Sequence, residues 1–178
     1  MPFAEARGFG TSPGTLSAKD FSGLATSRPA AMYSHLLVPI DGSDVSAKAV
    51  HGAVAFAKEM GARLTFFNAR SVLPVSMVGT GTMLDAGTLE NLSVVARENA
   101  ERILADAQAV AESAGVPCSG EGVINDLPHE AIIEAAAQHG CDLIFMASHG
   151  RRGLSGLLLG SQTQRMLIHA PLPVLVFR

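Results

Sequence analysis

From residue 32 onward, apolar and polar positions follow two alternating rhythms. Short apolar runs at 36–40, 62–68, 116–124, 143–147 and 173–177 have the length of strands buried in a sheet. Between them, apolar residues recur three and four positions apart, as on a helix with one buried face. Ala47, Val50, Val54 and Ala57 form the first such stripe, after the turn Asp41-Gly42-Ser43-Asp44, which supplies an N-cap. The segment 91–114 is the longest. Leu92, Val95, Ile103, Leu104, Ala107, Val110, Ala111 and Ala114 share one face of it, with Arg97, Glu98, Glu101, Arg102 and Asp106 largely opposite. Further helices are predicted over 126–137, with Pro128 in the first turn, and over 161–169. Gly61, Gly115 and Gly140 stop the first three helices. The stretch 73–89 carries Pro74, Gly79, Gly81 and Gly87 without a clean period, so a long flexible connection is expected there.

Strands alternating with helices predict an α/β fold, an open and mostly parallel sheet with helices on both faces. Such sheets bind ligands outside the carboxyl ends of the strands, where the strand order reverses. The richest polar chemistry here follows the first and fourth strands. If those strands are neighbours, Asp41 and the segment 148–161 converge on one crevice; periodicity does not decide that adjacency.

Composition narrows the function classes. A chain of 178 residues that is 48% hydrophobic suits one domain with a full core. A net charge of −3 provides no basic field for nucleic acid or acidic membranes. Eight Phe, one Tyr and no Trp leave little for stacking single-stranded bases. Cys118 and Cys141 form no CxxC pair and read as small apolar residues in a reduced, cytoplasmic setting. No apolar run approaches the roughly 20 residues that span a bilayer. Residues 1–31 are rich in Gly, Ser, Thr, Ala and Pro and lack the apolar core of a secretory signal. They read as a disordered extension, with a start at Met32 as the other reading.

The candidate binding device is Ala147-Ser148-His149-Gly150, nine residues, then Gly160-Ser161. Glycines let a backbone approach an anion closely, and a helix start aims free N–H groups and partial positive charge at it. Hydroxyls at Ser161 and Thr163 complete an anion socket; the bland alternative for Gly150, Gly153, Gly156 and Gly160 is a flexible loop. No GK[ST] occurs, so this is not a Walker A loop, nor does a GxGxxG follow the first strand. Arg151 and Arg152 are either phosphate partners or solvated loop charges. His149 suits a phosphate donor or a turn equally. Asp41 suits an Asx-turn over Gly42-Ser43 and also a hydrogen bond to a ribose hydroxyl, and the two roles are compatible. His129, His139 and His169 show no ligand spacing such as HxxxH, so no protein-held metal is expected; Mg²⁺ would arrive with a nucleotide. Met77 and Met83 either cap a ligand or fill space under the long connection.

These residues resemble the universal stress protein family over 32–178. His35-Leu-Leu-Val-Pro-Ile-Asp41-Gly-Ser43 is similar to the family's first strand and turn, and Pro171-Leu-Pro-Val-Leu-Val176 to its last strand. The ATP-binding branch carries G-x-x-G, nine residues, then G-[ST], matched here at Gly150, Gly160 and Ser161. The resemblance implies a five-stranded parallel sheet of order 3-2-1-4-5, adenine nucleotide alpha hydrolase-like. It implies ATP, with Mg²⁺, held by Ile40, Asp41, Ala69, Met146, Ala147, Gly150, Arg151, Gly160, Ser161, Gln162 and Thr163. It further implies a homodimer through Val174, Leu175, Val176 and Phe177, which would cover an exposed sheet edge. Ala147 stands where the motif's first glycine would be, and its methyl either crowds the nucleotide or asks for a different backbone. The expected role is a cytoplasmic stress-response regulator or sensor, with slow ATP turnover possible. A nucleotide-free scaffold dimer is the alternative, and an adenylating enzyme a weaker one, because the first turn is acidic where its phosphates would lie.

Overall fold

The structure, a computed structural model, describes residues 32–70, 86–149 and 159–178. Nine elements alternate along them: β1 (His35–Pro39), α1 (Asp44–Met60), β2 (Arg63–Arg70), α2 (Ala86–Ser113), β3 (Cys118–Ile124), α3 (Pro128–Gln138), β4 (Leu143–Ala147), α4 (Ser161–His169) and β5 (Val174–Phe177). The strands form one parallel sheet in the order β3-β2-β1-β4-β5, so the order reverses between β1 and β4, as expected.

The strand pleat sorts the core into two halves. Leu36, Val38, Leu64, Phe66, Leu143 and Phe145 pack under α1 and α2. Leu37, Phe67, Ile144 and Met146 face the other way, against α3 and Met166 of α4. Burial on both faces is why β1 and β4 read as unbroken apolar runs.

Local chemistry sets most element ends. Ser43 caps α1, its Oγ accepting from the Ser46 N–H at 3.2 Å. Gly61 closes that helix at φ 70°, a left-handed conformation open to glycine at little cost. The stripe of α1 is shifted from the expected one: Ala49, Val50, Ala53, Val54 and Ala57 are buried, whereas Ala47 is exposed.

Two expectations for α2 need correction. The helix begins at Ala86, inside the stretch assigned to a flexible connection. Val95, placed on the buried face, is 62% exposed, and continuous burial starts only near Ala100. The cause is length. At 1.5 Å per residue, 28 residues span about 42 Å, longer than the strands beneath, so the first turns have no sheet to cover.

Gly52 of α1 leaves room for the Phe177 ring, which lies 5.8 Å from the Phe145 ring; Phe56 stands 6.0 Å from Phe145 on its own side. A Cβ at Gly52 would sit 2.5 Å from Phe177 Cε2. Gly52→Val should therefore displace Phe177 and cost about 1–3 kcal/mol by overpacking, read from urea unfolding midpoints.

Candidate functional site

The chain leaves the sheet at the carboxyl ends of β1 and β4. These strands pair at Leu36–Leu143 and Leu37–Ile144, whereas β1 and β2 pair from His35–Arg63 through Pro39–Phe67. The β1–β4 ladder thus ends early, and the strand tips beyond it are the walls of the crevice.

The β1 tip is latched to β2. Ile40 N–H donates to the Phe67 carbonyl at 2.8 Å, and buried Asn68 donates from Nδ2 to the Ile40 carbonyl at 2.7 Å. This fixes the backbone immediately before Asp41. Asp41 Oδ1 accepts from Ser43 N–H at 3.0 Å and from Ser43 Oγ at 2.7 Å, while Asp41 N–H donates to Ser46 Oγ at 3.2 Å. The Asx-turn is therefore formed, with Gly42 at φ 78°. Asn68 was not among the sequence candidates; a lone amide in an apolar strand beside the first strand's tip was the available signal. Asn68→Ala should leave the Ile40 carbonyl unsatisfied, cost about 1–3 kcal/mol and loosen Asp41. Thermal unfolding, and the Asp41 amide shift by NMR, read the two effects.

At the β4 tip, main-chain bonds gather three segments. Ser148 N–H donates to the Phe177 carbonyl at 2.8 Å, and Gly160 N–H donates to the Ser148 carbonyl at 2.9 Å. The start of α4 is thereby held against the end of β4. Gly160 is needed for closeness rather than for an unusual φ: a Cβ there would lie 3.0 Å from His149 Cα. Unlike α1, α4 has no side-chain cap and no acidic residue in its first turn. Its first N–H groups and partial positive charge are suited to an anion.

The remaining candidates divide. Thr163 is buried, and its hydroxyl donates to the Ala147 carbonyl at 3.1 Å, so it braces the helix start with the proton a phosphate would need. Ser161 is exposed at the first position of α4, and Gln162 beside it is half-buried with Oε1 buried. Met146 is 5% exposed, its side chain in the α3-side core, so only its backbone faces the crevice. Ala69 is half-buried near the end of β2. Ala147 sends its methyl into the α1/α2 core, and no non-glycine residue among those described has positive φ. Alanine there neither forces a strained backbone nor projects its methyl away from the core. Ser148 Oγ lies 3.0 Å from His149 Nδ1, a contact not anticipated. Gly150, Arg151, Arg152, Gly153, Gly156, Met77 and Met83 lie outside the described residues. A separate cavity of about 170 Å³ opens between α1 and α2, lined by Ile40, Gly42, Val50, Ile103 and Ala107 among others, and receives nothing from β4 or α4.

Both cysteines are free. Cys141 is buried, and burial, followed by the Asp142 charge, pushes its thiol up to about 11, which keeps it protonated and unreactive.

Comparison with known proteins puts a family beside this geometry. The profile of the universal stress protein family matches residues 32–178. A universal stress protein of Methanocaldococcus jannaschii is 33% identical over 147 residues, covering 83% of each chain. The solved structure of the universal stress protein UspA from Lactobacillus plantarum superposes with a TM-score of 0.66 at 27% identity, over 82% of this chain and 98% of that one. A universal stress protein solved in complex with cAMP superposes with a TM-score of 0.60 at 26% identity, over 82% and 97% of the two chains.

Proposed function

The chain belongs to the universal stress protein family and has its adenine nucleotide alpha hydrolase-like fold, and from that premise we propose that it is an ATP-binding regulator or sensor acting as a homodimer in the cytoplasm. The observation that carries this reading is the uncapped start of α4, tied through Gly160 and Ser148 to the β4 tip, beside the Asp41 turn where the strand order reverses. The cAMP complex of a relative supports an adenine nucleotide as the ligand class.

In this reading Asp41 accepts a hydrogen bond from a ribose hydroxyl and stands on the sugar side, because a carboxylate would repel the phosphates. Ile40, Ala69, Met146 and Ala147 offer backbone to adenosine. The first N–H groups of α4, at Ser161 and Gln162, receive phosphate oxygens, with Gly150 and Arg151 completing the loop side. Mg²⁺ comes with the triphosphate, held by phosphates and water. The hydroxyls that touch a base at this crevice are engaged within the fold, Ser148 Oγ buried beside His149 Nδ1 and Ser43 Oγ in the Asx-turn with Asp41, and the reading is of a sensor rather than a dedicated catalyst. The outer edge of β5 (Val174, Leu175, Val176 and Phe177, all half-buried) is the proposed dimer seam.

Isothermal titration with Mg·ATP, AMP and cAMP tests the site. Heat with ATP at protein concentrations near ~100 µM is expected. No heat with any of the three sinks the nucleotide reading and leaves the scaffold dimer.

A further inference from the structure

The cavity between α1 and α2 has no part in the nucleotide reading, and its walls suit a ligand of a different kind. Its volume is about 170 Å³, and about 150 Å³ of apolar space is enough to hold a benzene molecule. Ile40, Val50, Ile103 and Ala107, each no more than 7% exposed, form the floor, with half-buried Val110 beside them. Gly42, Ala47 and Ala107 contribute at most a methyl, which keeps the space between the helices open. Exposed His51, Arg102 and Asp106 surround the mouth.

Charge and hydrogen bonding narrow the ligand. Arg102 Nη1 lies 3.5 Å from Asp106 Oδ2, and its Nη2 donates to Asn99 Oδ1 at 2.8 Å. The guanidinium at the mouth is thus already matched by a carboxylate. An ionised ligand would carry its charge to an apolar floor and find this ion pair closed to it. Hydrogen bonding points to one polar atom. Ser46 of α1 lines the cavity and is 3% exposed. Its Oγ accepts from Asp41 N–H at 3.2 Å, and among the described residues its own hydroxyl proton has no acceptor. A buried donor of that kind calls for a partner.

We propose that this cavity is a second ligand site, for a neutral one-ring molecule that carries an oxygen acceptor. The ring rests on Ile40, Val50, Ile103 and Ala107, and the oxygen receives the Ser46 proton. The site backs onto the turn assigned to the nucleotide: Ile40 and Gly42 flank Asp41, and Ser46 holds the Asp41 N–H. The lining comes from the β1 exit, α1 and α2, so the two ligands occupy different sides of one turn.

Phenol is the probe, titrated into the nucleotide-free full chain and followed by amide NMR shifts. Shifts at Gly42, Ala47, Ile103 and Ala107 should saturate together. Toluene, the same shape without the oxygen, should bind about 3–10-fold more weakly, the value of one hydrogen bond. Benzoate should bind about 10-fold more weakly or worse, because its charge is unwelcome at an apolar floor. Ser46→Ala should bring phenol down to the toluene affinity. Ala107→Leu fills the floor and should abolish the saturable shifts. If that variant does not fold, Ala47→Leu, which narrows the mouth from an exposed position, should weaken phenol in its place. Shifts that never saturate, or that centre on Ser161–Thr163, overturn the proposal. So do equal affinities for phenol and toluene, benzoate binding as tightly as phenol, or phenol binding unchanged in the folded leucine variants. No arm contains nucleotide, so the outcome is independent of whether ATP binds.

Discussion

Gly160→Asp is expected to weaken Mg·ATP binding by about 100-fold or more, some 2.7 kcal/mol, while leaving the fold in place. Two effects act together at this position. A new Cβ meets His149 Cα at 3.0 Å, forcing the β4 exit and the start of α4 apart by a few tenths of an ångström. The new carboxylate also does what no side chain does in the native α4: it caps the helix, accepting from the N–H groups proposed for the phosphates and placing a negative charge where they would sit. Because Gly160 has the extended backbone of a helix N-cap, φ −60° and ψ 150°, aspartate fits its conformation. The cap adds about 1 kcal/mol of helix stability, which offsets much of the steric cost. Binding and stability should therefore separate. Calorimetry with Mg·ATP gives the first and urea unfolding the second. Near-native affinity in a folded Gly160→Asp protein would show that the phosphates do not dock at the start of α4.

The largest expected effect on stability is at Asp142, at the other end of the sheet. Its carboxylate accepts from Ser34 N–H at 2.8 Å, Ser34 Oγ at 2.7 Å and His35 N–H at 3.0 Å, and its own N–H donates to the His35 carbonyl at 2.9 Å. One residue thus aligns the first turns of β1 and β4, the pair whose far ends form the crevice. Asp142→Ala leaves two backbone donors without an acceptor, and about 2–4 kcal/mol should be lost at pH 7. Burial alone would raise this carboxyl's affinity for a proton. The hydrogen bonds from Ser34 and His35 outweigh it and hold Asp142 below the ordinary carboxylate range. Its stabilisation is therefore present above the unfolded aspartate value near ~3.9 and is lost as the pH falls through the lower folded value. Urea midpoints followed from pH 7 to pH 3 should show the wild type losing that increment at the acid end and Asp142→Ala having none of it to lose. Superimposable acid limbs would mean that the three hydrogen bonds hold a carboxylate of ordinary acidity.

Much of the fold was legible because its signals are local. Ser43 caps α1, Gly61 and Gly115 have positive φ, and Pro128 opens α3, each where turn chemistry predicted it. The start of α2 was not legible. Residues 86–90, Ala-Gly-Thr-Leu-Glu, include a glycine costing about 1 kcal/mol in a helix and lie where the helix projects past the sheet. Further along, Val94 and Val95 are exposed, so this end of the helix follows no continuous buried stripe. At the candidate site, the residue types at Gly160 and Ser161 pointed to an anion, and Asp41 to an Asx-turn and a sugar hydroxyl, from the sequence. The latch from Asn68 to Ile40 and the bond from Ser148 to Phe177 join residues 28 and 29 positions apart, and no local pattern encodes such partners. Thr163 shows the same limit: its hydroxyl suited an anion socket by type, but it is bonded to the Ala147 carbonyl.

Periodicity and turn chemistry by themselves determined which segments are strands and helices, because propensity, capping and burial of one face act over a few neighbouring residues. Family resemblance supplied the strand order that periodicity left open. Tertiary structure alone decided which way each side chain at the crevice faces. In the pleat of β4, Ala147 turns its methyl to the α1 side and Met146 its thioether to the α3 side. That parity depends on how the whole sheet packs between its two helix layers, and the direction of a single methyl group determines whether alanine can stand where the family motif has glycine.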